Sequence, residues 1–155
     1  MLYEEERAAL RETVLARLET IVDPCSVAAG ARAGLVSMGL VGEVTIEARA
    51  AGAHVGVTLF VTEPTCLMGA IFEAAAEREL GALPGVGSVA VRTDRARLWT
   101  PDAMTPDYRR RLAQFRAAQA ALRKTTKADS GASRLSSLGS VEGPSHGERS
   151  RQTPE

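Results

Sequence analysis

Between Gly42 and Val61 the sequence alternates with a period of two, twice over. Val44, Ile46 and Ala48 interleave with Glu43, Thr45 and Glu47, and Val55, Val57, Leu59 and Val61 repeat the pattern after Ala51-Gly52-Ala53. Side chains of a strand point to opposite faces in turn, so each run reads as a half-buried strand and the glycine-containing break as a tight turn. The prediction is a β-hairpin. The next run, Leu67 to Leu80, changes to helical spacing, with Leu67, Ile71, Ala74 and Ala75 on one face and Gly81 suited to its end. A turn at Pro84-Gly85-Val86-Gly87 then leads into a short strand, Ser88 to Arg92. Strand, helix and strand in that order predict a right-handed crossover onto the same sheet.

Two further helices flank this unit. From about Tyr3 to Val22, Leu10, Val14, Leu18 and Ile21 recur at three- and four-residue spacing, with Glu4, Glu5 and Glu6 in the first turn, where the helix dipole favours negative charge. Pro24 should end this helix, since it has no N–H to donate and disfavours helical geometry in the residue before it. Residues Asp23 to Met38, with Pro24, Gly30 and Gly34 among small side chains, read as a compact, mostly irregular loop. After Trp99-Thr100-Pro101-Asp102, Pro106 opens a last helix with Tyr108, Leu112, Phe115 and Leu122 on one stripe. The reading is a small single-domain α+β fold over 1–105, a C-terminal amphipathic helix over 106–125, and a disordered tail over 126–155. The tail is Ser, Gly, Pro and charge, too poor in large apolar residues to offset its ordering entropy.

Composition narrows the function classes. The 155 residues carry 45% hydrophobic side chains, enough for a packed core, and 19 basic against 19 acidic residues. A balanced charge provides no net field for nucleic acid or an anionic membrane. The acidic start, Met1-Leu2-Tyr3-Glu4-Glu5-Glu6, is unlike a secretory signal, and no stretch reaches the ~20 apolar residues of a membrane span, so the expected location is the cytoplasm. Two cysteines, Cys25 and Cys66, exclude a disulfide framework and a self-contained Cys-x-x-Cys zinc site. No His stands beside a predicted nucleophile, and there is neither a phosphate loop nor an evident carboxylate pair; no catalytic turnover is expected. Gly85-Val86-Gly87 precedes a strand, where a dinucleotide loop would follow one, and so reads as a turn. The run Arg109-Arg110-Arg111 reads as a solvated helix face, His54 as an exposed polar residue, and Trp99 as a lid on the core edge.

The chemistry concentrates at Thr62-Glu63-Pro64-Thr65-Cys66-Leu67, where a strand passes through a proline into a helix. Cys66 is expected in the first helical turn, where unpaired N–H groups would lower a thiol pKa and make the sulfur both nucleophile and metal ligand. The alternative is a small buried hydrophobe. The second candidate is Asp23-Pro24-Cys25-Ser26. Asp23 can orient its loop by accepting from backbone N–H groups two residues on. If that loop lies beside Cys66, two thiols and a carboxylate meet as a soft-ligand half-site. Two cysteines fall short of the four ligands of a closed cluster or zinc site, so a second subunit, a client or a small thiol would have to complete it. A redox switch, in which Cys66 attacks and Cys25 resolves, and an adaptor with inert cysteines are the other readings.

Asp23-Pro24, Met38-Gly39-Leu40-Val41, Thr62-x-Pro64-x-Cys66, Leu83-Pro84-Gly85-Val86 and Trp99-Thr100-Pro101-Asp102-x-Met104 occur in this order over roughly residues 7 to 105. In order and spacing they resemble the SufT/PaaD-like iron–sulfur assembly family. The resemblance implies a small α+β domain acting in cytosolic iron–sulfur cluster assembly or iron delivery, as a homodimer or with other assembly proteins and client metalloenzymes. It matches Cys66 to the family's reactive cysteine and Asp23 to its loop aspartate, with a transient cluster or iron as the bound species. The sequence departs from the family at Cys25, where glutamate usually follows Asp-Pro, and at Ser37-Met38. The PaaD-like branch serves a multicomponent oxygenase, and the divergent loop is compatible with such a dedicated partner.

Overall fold

The computed structural model describes residues 3–135. Its order of elements is α1 (Glu4–Glu19), α2 (Pro24–Ala28), β1 (Val41–Arg49), β2 (Gly52–Phe60), α3 (Met68–Gly81), β3 (Val86–Asp94), a 3-10 turn (Pro101–Ala103) and α4 (Pro106–Leu135). This is a small α+β fold with a three-stranded sheet ordered β1-β2-β3. The hairpin forms as its alternation predicts: β1 and β2 pair antiparallel from Val41↔Leu59 to Arg49↔Gly52, with an irregularity between Val41 and Val44. β3 joins β2 in parallel, from Ala53↔Val86 to Phe60↔Asp94, and extends past both ends of the expected Ser88–Arg92.

Helices α1 and α3 touch each other and lie over the same side of the sheet, α1 on β1 and α3 on β2 and β3. Val14 and Leu18 of α1 meet Val44, Val55, Val57 and Leu59 of the hairpin in the core. The stripe of α3 that faces them is not the expected one. Gly69, Phe72, Ala76 and Leu80 are buried, whereas Leu67 and Ile71 are exposed. The helix is apolar on more than one side, and spacing alone does not say which side meets the sheet. Phe72 fills the core and Gly69 sits against Thr93, which turns the Leu67–Ile71 side outward.

The segment expected to be irregular between Asp23 and Met38 contains α2, begun by Pro24 at the helical position where a missing N–H costs nothing. Its return to β1 is bound to the end of α1. The Glu19 carboxylate accepts from Gly34 N (3.2 Å), Ser37 N (2.8 Å) and the Ser37 hydroxyl (2.6 Å). Gly34 also has no room for a side chain, because a Cβ there would collide with the backbone carbonyl of Glu19. α4 contributes Tyr108 and Leu112 to the core, and the Tyr108 hydroxyl donates to Ala31 O at 2.7 Å.

The described residues fall into two units, divided after Arg116. In the second, the helix continues to Leu135, beyond the expected boundary at 125, and Leu122, expected on the buried stripe, is exposed. The expected disordered tail lies, from residue 136 onward, outside the described residues. Gly34→Ala should lower stability by about 3 kcal/mol, the upper end of ordinary overpacking costs, because the obstacle is backbone and cannot rotate away. Urea denaturation measures it as a lower midpoint at unchanged slope.

Candidate functional site

Strand directions place the candidate residues together. Val41 pairs with Leu59 and Phe60 with Asp94, so the start of β1 and the ends of β2 and β3 share one end of the sheet. Three segments therefore converge there: residues 23–40 before β1, 61–67 after β2, and 95–105 after β3. Four of the five sequence motifs lie in these segments. The fifth, Leu83-Pro84-Gly85-Val86, is the turn at the opposite end, where Gly85 has a φ of +82° and its carbonyl accepts from Ala53 N at 2.8 Å.

Asp23 is 2% exposed and caps α2. Its carboxylate accepts from Ser26 N at 3.2 Å and is also approached by the N–H of Cys25. The Ser26 hydroxyl sits between Asp23 O (2.6 Å) and Ala33 O (3.1 Å) as donor and accepts from Ala33 N (2.9 Å). Asp23 thus orients the loop that carries Cys25. Burial raises its carboxyl above the ordinary aspartate range, against the lowering effect of the two N–H donors.

Cys25 is exposed and Cys66 partly exposed, and both are free thiols, so neither is a buried hydrophobe. The Thr62 hydroxyl and the charges of Asp23, Cys66 and Glu63 all act on the Cys25 thiol. Partial shielding of its sulfur from water is the largest influence and pushes the Cys25 thiol up; the negative charge of Asp23 adds to it and the Thr62 hydroxyl opposes it. Both loops leave the same end of the sheet.

Cys66 is not in the first turn of α3. Leu67 is the capping residue and the helix begins at Met68, so Cys66 lies in the approach to the helix. Pro64 and Cys66 belong to a tight turn in which Cys66 N donates to Glu63 O at 3.0 Å. The turn is held from β3's side. Arg95 Nη1 donates to both Pro64 O and Cys66 O, each at 2.9 Å. Sequence reading missed Arg95, which belongs to none of the motifs; only the parallel pairing of β3 brings it there.

The third segment straps the site. Trp99 Nε1 donates to Met38 O at 2.8 Å, and Thr105 N to Ser37 O at 3.0 Å. Gly39, with φ at +70°, admits the Ala103 backbone where a Cβ would strike its carbonyl. Trp99 is packed against the core as the lid reading expected. Arg97 stacks over Phe60 at 4.3 Å from the ring centroid. His54 lies on the sheet, with Nδ1 2.8 Å from the Ser88 hydroxyl. Arg109 and Arg110 form exposed ion pairs with Asp102 and Asp107. Among the described residues no three His, Cys, Asp or Glu side chains are grouped to hold a metal ion.

Residues 11–91 match the sequence profile of the family described as iron–sulfur cluster assembly protein, and the chain belongs to that family. Among solved structures, it is similar to a domain of unknown function from Bacillus anthracis, at 22% identity and a TM-score of 0.58 over 72% of this chain and 98% of the other. It is also similar to a conserved hypothetical protein from Thermotoga maritima, at 28% identity and a TM-score of 0.51 over 64% of this chain and 90% of the other. No curated protein matches it. The SufT/PaaD-like resemblance carried by the motifs agrees with the family and with the shared fold.

Asp23 has a testable signature. Its raised carboxyl means that the folded chain holds this proton more tightly than the unfolded chain does. That contribution to stability is present at acid pH and is lost as pH rises from the ordinary aspartate range through the raised folded value. Asp23→Asn keeps an oxygen acceptor without the charge, so it should be at least as stable as the parent at neutral pH and lack this slope. Asp23→Ala should lose about 1 kcal/mol with the cap. Urea denaturation across acid to neutral pH distinguishes the three.

Proposed function

We propose that the protein is a maturation factor that carries iron or an iron–sulfur cluster to client metalloproteins in the cytoplasm, without turnover of its own. Cys66 is the principal ligand, Cys25 the second, and Asp23 holds the Cys25 loop in place. The observation that supports this reading is that two accessible thiols lie in the loops before β1 and after β2, which leave the same end of the sheet. Thiolate sulfur is the preferred ligand of iron–sulfur clusters. A pair of thiols is an incomplete coordination set, and incomplete ligation suits transfer better than permanent holding. Membership of an iron–sulfur assembly family supports the same chemistry.

The reading assigns different tasks to the surrounding residues. Arg95 fixes the turn that presents Cys66 by binding two of its carbonyls, and the Trp99–Met38 bond closes the loop behind it. Neither group takes part in ligation. In anaerobic reconstitution with iron and sulfide, the wild-type chain should develop a visible cluster absorption that Cys66→Ser abolishes and Cys25→Ser reduces. Circular dichroism should be unchanged in both variants. A well-folded Cys66→Ala protein that matures its clients normally would overturn the reading.

A further inference from the structure

Charge is balanced over the whole chain but not along it. Residues 1–105 carry 9 basic and 14 acidic side chains, whereas residues 106–126, within α4, carry 6 basic and 1 acidic. Three of those six cations have partners: Arg109 pairs with Asp102, Arg110 with Asp107, and Arg111 donates to Arg32 O. Arg116, Arg123 and Lys124 pair with no carboxylate among the described residues. Every residue from Ala117 to Thr126 is exposed, Leu122 by 61%, although the helix runs on to Leu135. Ala117, Ala118, Ala120 and Ala121 favour the helix, yet most protein helices draw their stability from packing one face on a neighbour. A long exposed helix with unpaired cations on it marks a contact surface.

The spacing of its side chains selects the occupant. Tyr108, Leu112, Phe115, Gln119, Leu122 and Thr126 follow one another at alternating steps of four and three, the seam of a heptad pattern. The first half of this seam belongs to the protein's own core: Tyr108 and Leu112 are buried, and the Phe115 ring occupies the space that Gly30 leaves for want of a side chain. The second half, with Leu122, is open. Arg109, Arg116 and Arg123 recur every seven residues, each directly after Tyr108, Phe115 or Leu122, at the flanking position where a paired helix presents its charged side chains. At the helical rise, Arg116 and Arg123 stand about 10 Å apart along the axis, matching glutamates one heptad apart on a facing helix. A second copy of α4 would set these arginines against each other or against neutral residues. Three unpaired cations on an otherwise acidic chain are too few to follow a polyphosphate backbone, and one large exposed apolar residue is too little to enter a membrane surface.

We propose that the open stretch of α4 is the docking site for an acidic α-helix of another protein, which lays an apolar seam on Leu122 and aligns glutamates with Arg116 and Arg123. Gln119 and Thr126, polar at seam positions, fix the register and keep the pairing weak, as suits a contact that has to be released. The surface lies beyond residues 11–91, the part that matches the family profile. It involves neither thiol and does not depend on the carrier reading.

The test titrates the full chain into a fluorescent synthetic peptide of three heptads, with leucine on its seam and glutamate on both flanks, and reads anisotropy. The comparison probes are a peptide of the same composition with its glutamates moved to the outer face, a peptide with lysine flanks, and a short DNA duplex. The variants are the double change Arg116→Glu with Arg123→Glu, and Leu122→Ala, each checked for an unchanged thermal transition. The expected result is saturable binding of the glutamate-flanked peptide that falls with salt, weakens about tenfold in the double variant and also weakens in Leu122→Ala. The lysine-flanked peptide should bind the double variant better than the parent. Equal binding of the rearranged peptide would reduce the site to diffuse charge and overturn the proposal. Tighter binding of the DNA duplex, or no binding of the glutamate-flanked peptide, would overturn it too. Self-association of the free chain that the double variant relieves would make a second copy the occupant and have the same effect. Iron enters none of these readouts, so failure of this proposal and failure of the carrier reading are told apart.

Discussion

The register of the β1–β2 hairpin governs the rest of this structure. Because Val41 faces Leu59, the loop that enters the hairpin and the loop that leaves it must lie side by side. The parallel addition of β3, ending at Phe60↔Asp94, delivers a third segment to the same edge. A slip of one residue would turn Val44, Val55 and Val57 from the core to the open face, so burial and register enforce each other. The site is thus a consequence of how the core is packed, and its geometry is as secure as that packing.

Fixing the ends of strands does not by itself fix the loops beyond them. That task falls to polar groups aimed at backbone. Glu19 holds the return from α2, Asp23 caps α2, Arg95 binds the turn before Cys66, and Trp99 reaches across to Met38. Each partner is a main-chain N–H or carbonyl that helix and sheet leave unpaired, so the same bonds that satisfy the loops also immobilise them. The result is two free thiols on loops whose backbone is held by side-chain hydrogen bonds.

Period-two alternation from Val44 to Val61 foretold the hairpin, and the spacing of Val14 and Leu18 foretold α1, because in both cases one face alone is apolar. α3 defeated the same argument. Its apolar residues cover several sides, and the choice of Phe72, Ala76 and Leu80 over Leu67 and Ile71 depends on which side fits the sheet. Cys66 was misplaced for a related reason: Pro64 marks where a strand stops but leaves open how many turn residues precede the helix. The site residues Asp23, Cys25 and Cys66 were legible as types and motifs; Arg95 was not, since its role depends on a neighbour nearly thirty positions away in the chain.

The sequence by itself determined the kinds of element, their order, the two thiols available and the family they belong to, because local periodicity and short motifs are properties of neighbouring residues. Tertiary structure decided which face of α3 is buried, and that the loops carrying Cys25 and Cys66 leave the same end of the sheet. These are matters of packing between segments distant in the chain, and the free energy that settles them comes from burying apolar surface in a shared core, which no local stretch of sequence contains.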